Sequence, residues 1–438
     1  MTAHASKGLT GRMRAPGDKS ISHRALMFGA LALGETQIEG LLTGEDVLAT
    51  GAALRALGAE VERRDDGTWR VQGVGVGGFS EPADVLDMGN SGTSARLMTG
   101  LLASHAFTSF VTGDASLRSR PMQRVITPLS RMGASFTNRD GGRLPMAVTG
   151  SKTPLPIEYV LPMASAQVKS AILLAGLNTP GETTVIEPHP TRDHTERMLR
   201  SFGGEVKVRE IEGGGRAATV RGYPDLRGQQ IVVPGDPSSA AFAAVAASIV
   251  PDSDIVIENV GLNPLRAGLY TTLREMGADL DYQNRREVGG EPVADIRVRS
   301  APLQGIEVPP ERAPTMIDEY PILAVAAACG RGPTRMLGIG ELRAKESDRV
   351  ASVVAGLQAC GVQIRATADE MVVEGCDGAP PGGGTVVTHL DHRIAMSFLV
   401  LGLASRTAVT IDDASPIDTS FPDFAAMMRA LGAELVAS

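Results

Sequence analysis

Seven cations stand at or beside helix starts that the sequence predicts. Lys19 and Arg24 lie in "PGDKSISHR", Arg120 in "RSRPMQRV", Arg192 in "PTRDHTERM", Lys345 and Arg349 in "RAKESDRV", and Arg393 in "DHRIAMSF". A helix N-terminus exposes unpaired N–H groups and carries about half a positive charge, so it takes anions readily. The forked guanidinium of arginine matches carboxylate and phosphate geometry. The chemistry this set predicts is capture of small, highly charged anions. "PGDKS" is not a Walker loop, because Asp18 occupies the place of the second glycine in G-x-x-x-x-G-K-[ST]. "GVGVGG" at 73–78 satisfies G-x-G-x-x-G, but the "FSEPADVL" that follows opens no helix, so it reads as a loop. His389 and His392 in "THLDHR" have no cysteine nearby, and no metal site is expected.

The elements that must position these residues repeat along the chain. "LRALGAEV", "LSRMGASF", "LRSFGGEV", "LREMGADL", "LQACGVQI" and "MRALGAEL" share one signature, with central glycines at Gly58, Gly133, Gly203, Gly277, Gly361 and Gly432. Each reads as the last turn of an amphipathic helix, a glycine free to take positive φ, then a strand. Upstream of each glycine, by 38 to 43 residues, a polar turn opens into an Ala- or Leu-rich run. These turns are marked by Asp18, Asn90, Ser165, Asp236, Asp318 and Asp391, residue types that suit helix N-caps. Two features in fixed order, six times over, define a sixfold repeat of helix, strand, helix and strands.

"PGDKS" and "PGDPSS" are matching turns before the first and fourth repeats, which divides the six into two sets of three. The expected domains are residues 20–233, and residues 1–19 together with 234–438. The early strand "LTGRMRAP" is then free to join the second domain, and two crossings side by side predict a hinge facing a cleft.

The 438 residues are 43% hydrophobic and 21% charged, an ordinary composition for a soluble globular protein with ample core material. Aromatic residues are only 4%, so Ala, Val, Leu and Ile must build that core. A net charge of −8 argues against nucleic acid as a partner. Any anion must therefore be drawn by a local pocket. Three cysteines without a CxxC pair suit a reducing compartment. The N-terminus lacks the apolar stretch of a signal peptide, and no apolar window reaches the roughly 18–20 residues that span a bilayer. The expectation is a cytoplasmic protein.

Taken together, "PGDKSISHR", "GNSGTSAR", Arg120-Pro121, "MASAQVKS", "MIDEYP", "KESDR" and "DHRIAMS" resemble the EPSP synthase family of enolpyruvyl transferases, from about Arg14 to Phe424. The resemblance implies an α/β (α+β) fold of two similar domains, each three βαβαββ repeats in an inverse α/β barrel. It implies transfer of the enolpyruvyl group of phosphoenolpyruvate to shikimate 3-phosphate, with no cofactor or metal, by a monomer. Residue by residue, Lys19 would contact both substrates, while Ser20 and Arg24 would hold the shikimate carboxylate. Ser165, Ala166 and Arg192 would receive its phosphate, and Gln167 would lie against the ring and phosphoenolpyruvate. Asp318 and Lys345 would address the ring hydroxyls. Gly92, Arg120, Arg349, His392 and Arg393 would hold phosphoenolpyruvate, with Glu346 beside its methylene carbon. Asp318 is the expected base, and Glu346 the expected carbon acid with Lys19 as the alternative. Seven cations less Asp318 and Glu346 leave a surplus of five, which predicts an empty site that repels itself open.

The sequence departs from the family pattern in places. Thr419 stands where many relatives carry lysine, and Glu341 where many carry asparagine. A rival within the superfamily, UDP-N-acetylglucosamine enolpyruvyl transferase, usually has a cysteine in the loop matching "TGDASLRSRPM" and Lys-Asn where this chain has Lys19-Ser20. A silent relative that only binds phosphorylated metabolites is disfavoured by the set Lys19, Asp318 and Glu346.

Overall fold

The computed structural model describes residues 1–437. The chain folds into two units. The first is Gly17–Val233 with Val288–Gly290; the second is Met1–Pro16, Pro234–Glu287 and the chain from Glu291 onward. Each has its own apolar core.

Six opening helices carry the repeat: Lys19–Leu31, Gly92–Ala103, Ala166–Leu177, Pro237–Ile249, Tyr320–Cys329 and His392–Ala404. They are buried on nearly every side, as expected of helices apolar around most of their circumference. Among the described residues, six open four-stranded sheets stand around them, none closed into a barrel. Strands such as Arg143–Thr149 alternate buried and exposed residues, so one sheet face covers the core and the other meets solvent. In each unit the opening helices are inside and the sheets outside.

Every sheet has a parallel pair at one edge that continues into antiparallel strands. The six signature glycines all take positive φ, from +74° to +104°, which lets each second helix end and the chain reverse into a strand. Two edge strands are exchanged. Thr10–Arg14, which precedes the first opening helix, pairs with Asp254–Gly261 of the fourth repeat. Gln230–Val232, which precedes the fourth, pairs with Leu33–Glu39 of the first. Thr2–Ala3 lies between Val409–Ile411 and Leu435–Val436 in the sixth sheet.

Two details depart from the sequence reading. The second opening helix is capped by Ser91, whose side chain accepts from Ser94 N–H, and not by Asn90. In the fifth repeat Asp318 is not the N-cap of the opening helix. It sits in a 3₁₀ turn, Ile317–Glu319, between Ala313–Met316 and the helix that begins at Tyr320. Pro314 and Pro321 each remove an N–H that a continuous helix would use, and the segment breaks into short pieces.

The helices bearing Gly92 and Gln167 cross closely at Gly100, where an added Cβ would lie 2.3 Å from the Ala171 carbonyl oxygen. Backbone cannot yield as a side chain can. Gly100→Ala is expected to destabilise the first unit by about 1–3 kcal/mol, read as a lower midpoint in urea unfolding.

Candidate active site

In the first unit three helix starts are built alike. Asp18 accepts from Ile21 N–H at 2.9 Å, Ser91 from Ser94 N–H at 3.0 Å, and Ser165 from Val168 N–H at 3.4 Å. Lys19 opens its helix and pairs with Asp46 at 3.0 Å, and Ser20 follows it. Beneath them a polar chain joins the first two starts: His23 Nδ1 to Thr50 at 2.7 Å, Thr50 to Ser94 at 2.6 Å, Ser94 to Ser91 at 2.7 Å. Arg24 is only 3% exposed. It donates to the Ser20 carbonyl, Thr195 Oγ1 and Ser170 Oγ, each at 2.8 Å, and so ties the first helix to the third repeat.

Burial, then the positive charges of Lys19 and Arg24, hold the His23 imidazole well below its ordinary range. The unfolded chain therefore takes up this proton before the folded one does. Stability from this group is complete above about pH 6.5 and is progressively lost as pH falls below it. His23→Gln is expected to flatten the dependence of melting temperature on pH below about 6.5.

A second group gathers around Gly92. Gln167 accepts from Arg96 Nη1 at 3.1 Å and donates to Thr93 at 3.1 Å, while Arg96 also reaches the Gly92 carbonyl at 3.3 Å. Arg120 is clamped by the Asn90 side chain at 2.6 Å and by Ser116 at 2.9 Å. A Cβ on Gly92 would stand 2.7 Å from Arg96 Nη1 and 3.2 Å from Arg120 Nη1. Arg96 escapes the sequence reading, although it is the last residue of "GNSGTSAR"; its position one turn into a helix conceals it. Arg192 lies two residues before the helix His194–Ser201, and Ala166 is the first residue after the Ser165 cap.

In the second unit one guanidinium organises the cluster. Arg349, with 1% of its side chain exposed, begins a helix capped by Asp348. It binds Asp391 at 2.8 Å, Asp318 at 3.2 Å and Glu346 at 2.5 Å. Burial alone works against its charge, but the carboxylates of Asp391, Glu346 and Asp318 outweigh that and raise its pKa. Lys345 pairs with Glu341 at 3.0 Å and stands 3.8 Å from Asp318. Arg393 donates to the Asp318 carbonyl at 3.2 Å and lies 3.7 Å from Glu319. His392 is buried, with Nδ1 3.5 Å from Thr419 Oγ1.

The charge count made from sequence requires correction. In the first unit Asp46 offsets Lys19. In the second, Glu319, Glu341 and Asp391 join Asp318 and Glu346 around Lys345, Arg349 and Arg393. In the second unit three cations among five carboxylates carry no positive surplus. With Asp46 also counted, the seven cations exceed six carboxylates by one, not five, and the drive to self-repulsion is correspondingly smaller. Asp46, Glu319 and Asp391 escape a reading of the sequence because their pairing depends on tertiary contacts, whereas Glu341 meets Lys345 four residues along the chain. Among the described residues, no group of three or more His, Cys, Asp or Glu is placed to hold a metal ion, and no helix is long and apolar enough to cross a membrane.

This architecture is that of the enolpyruvyl transferases. The enolpyruvyl transferase NikO from Streptomyces tendae superposes with a TM-score of 0.77 over 99% of this chain and 97% of its own, at 19% identity, a likeness of fold alone. The family is fixed by sequence: residues 3–428 match the family model of EPSP synthase (3-phosphoshikimate 1-carboxyvinyltransferase), and the chain belongs to that family. A 3-phosphoshikimate 1-carboxyvinyltransferase of Paramagnetospirillum magneticum is 64% identical over 435 residues, covering 99% of this chain and 98% of the relative. The structure of EPSP synthase from Acinetobacter baumannii, 47% identical, gives a TM-score of 0.86 over 98% of this chain and 97% of its own.

Proposed function

We propose that this chain transfers the carboxyvinyl group of phosphoenolpyruvate to the 5-hydroxyl of shikimate 3-phosphate, releasing phosphate, in aromatic amino acid biosynthesis. The observation that carries the reading is the cluster in which one buried arginine, Arg349, holds both Asp318 and Glu346, within a chain that matches the family from residue 3 to 428. The reaction adds the 5-hydroxyl to C2 of phosphoenolpyruvate while C3 gains a proton. The tetrahedral ketal then loses phosphate as C3 gives a proton back.

Asp318 takes the hydroxyl proton; Arg349 at 3.2 Å and Lys345 at 3.8 Å favour its carboxylate form. Glu346 delivers the proton to carbon, with Lys19 as the alternative donor. Arg349 favours Glu346 as a carboxylate, which is wrong for an acid. Phosphoenolpyruvate resolves this: it competes for the Arg349 Nη2 that Glu346 now occupies, and its negative charge makes Glu346 easier to protonate. Gly92, Arg120, His392 and Arg393 complete the phosphoenolpyruvate site. Lys19, Ser20, Arg24, Ser165, Ala166, Gln167, Arg192 and Lys345 receive shikimate 3-phosphate. The working form is a cytoplasmic monomer.

The deciding experiment is phosphate release with both substrates present. Release that requires shikimate 3-phosphate and is not supported by UDP-N-acetylglucosamine is the expected result; none with either acceptor would overturn the reading. A methyl at Gly92 pushes Arg96 and Arg120, the far ends of flexible chains, and crowds glyphosate, which is longer than phosphoenolpyruvate. Gly92→Ala is expected to weaken glyphosate inhibition about tenfold or more relative to the change in KM for phosphoenolpyruvate. Steady-state kinetics showing equal loss of both would refute this.

A further inference from the structure

Lys169 is the fourth residue of the helix that starts after Ser165, yet only 1% of its side chain is exposed. Its ammonium sits between two buried carboxylates, Glu187 at 2.9 Å and Glu196 at 2.8 Å, and reaches the Thr191 carbonyl at 3.4 Å. Glu187 in turn accepts from the Thr191 N–H at 3.2 Å and from the Thr191 hydroxyl. The next residue along the helix, Ser170, bonds Thr195 at 2.8 Å, and Arg24 joins that pair. Two consecutive helix residues thus grip the segment 187–196 at its start, middle and end.

A buried ion cluster adds little stability over apolar side chains of the same volume, so stability is a poor reason for its presence. Burial works against the Lys169 ammonium, but Glu196 and Glu187 outweigh it and raise its pKa; burial also pushes the Glu187 carboxyl up despite Lys169. The ammonium is firmly kept. What it secures is geometry: Arg192 lies inside the gripped segment, next to Thr191, and Ser165 caps the same helix, with its carbonyl bonded to the Lys169 N–H at 3.1 Å.

We infer that Lys169 is a positioning residue for shikimate 3-phosphate, fixing segment 187–196, and with it Arg192, against the helix start at Ser165. The inference rests on the phosphate placement proposed above. Lys169 touches no substrate; it acts through the main chain of Thr191 and the carboxylates on either side.

The test is binding of shikimate 3-phosphate alone, by calorimetry, together with KM for phosphoenolpyruvate at saturating shikimate 3-phosphate. Lys169→Met strands two buried carboxylates and risks unfolding, so the informative variant combines it with Glu187→Gln and Glu196→Gln. The triple variant is expected to fold cooperatively, to bind shikimate 3-phosphate about 10- to 100-fold more weakly, and to change KM for phosphoenolpyruvate little. Native affinity in the folded triple variant overturns the inference, as does an equal rise in both constants, which marks general loosening. Arg192→Ala is measured in parallel. If it weakens binding and the triple variant does not, Lys169 alone is misassigned; if Arg192→Ala itself has no effect, the phosphate placement falls and the inference falls with it.

Discussion

Asp318→Asn is expected to lower kcat by about 10²- to 10⁴-fold, the range typical for loss of a general base. The replacement keeps the size of the side chain but removes its negative charge and its capacity to take a proton. The fold should survive, because Arg349 retains Asp391 at 2.8 Å and Glu346 at 2.5 Å. The Asp318 main chain stays anchored by Arg393. Loss of charge at this point also releases Lys345 from one of its two carboxylates, but Glu341 remains at 3.0 Å. The measurement is single-turnover phosphate release with a parallel melting curve. A kcat within about tenfold of the native value, in a folded variant, would remove Asp318 from the role of base.

Glu346→Gln carries the second large effect, a fall in kcat of about 10²-fold or more. Its amide oxygen can still accept from Arg349, so the arginine need not move. Proton delivery to C3 is what is lost, and it has its own readout: incorporation of solvent deuterium into the methylene group of recovered phosphoenolpyruvate or product. The expected result is that kcat and deuterium incorporation fall together. Near-normal turnover with both substrates bound would transfer the task to Lys19.

Much of this architecture is legible in the sequence because it depends on local rules. A glycine that must take positive φ after an amphipathic helix is visible wherever it recurs, and all six, from Gly58 to Gly432, take it. Caps at Asp18, Ser165, Asp236 and Asp391 follow from side-chain chemistry. Where a second polar residue competes the reading slips: Asn90 turns to Arg120, and Ser91 takes the cap. Proline breaks the fifth repeat, and the 3₁₀ turn at Asp318 lies between the short pieces that Pro314 and Pro321 begin. The candidate site is legible as a set of cations, since their register is shared across repeats. Their partners are not. Asp46, Glu319 and Asp391 reach the cations only through folding, and a lysine within an apolar helix, such as Lys169, gives no sign on its own that two carboxylates will meet it.

The exchanged edge strands set an order of assembly. Residues 17–233 contain every strand of their own three sheets, so this stretch has all its strand partners once Val232 has been synthesised, and only Val288–Gly290 joins the unit later. Thr10–Arg14 must wait for Asp254–Gly261, and Thr2–Ala3 for Val409–Ile411 and Leu435–Val436. Strands within residues 2–14 are therefore among the last to find their neighbours, and closing that long loop is the step that non-local pairing makes slow.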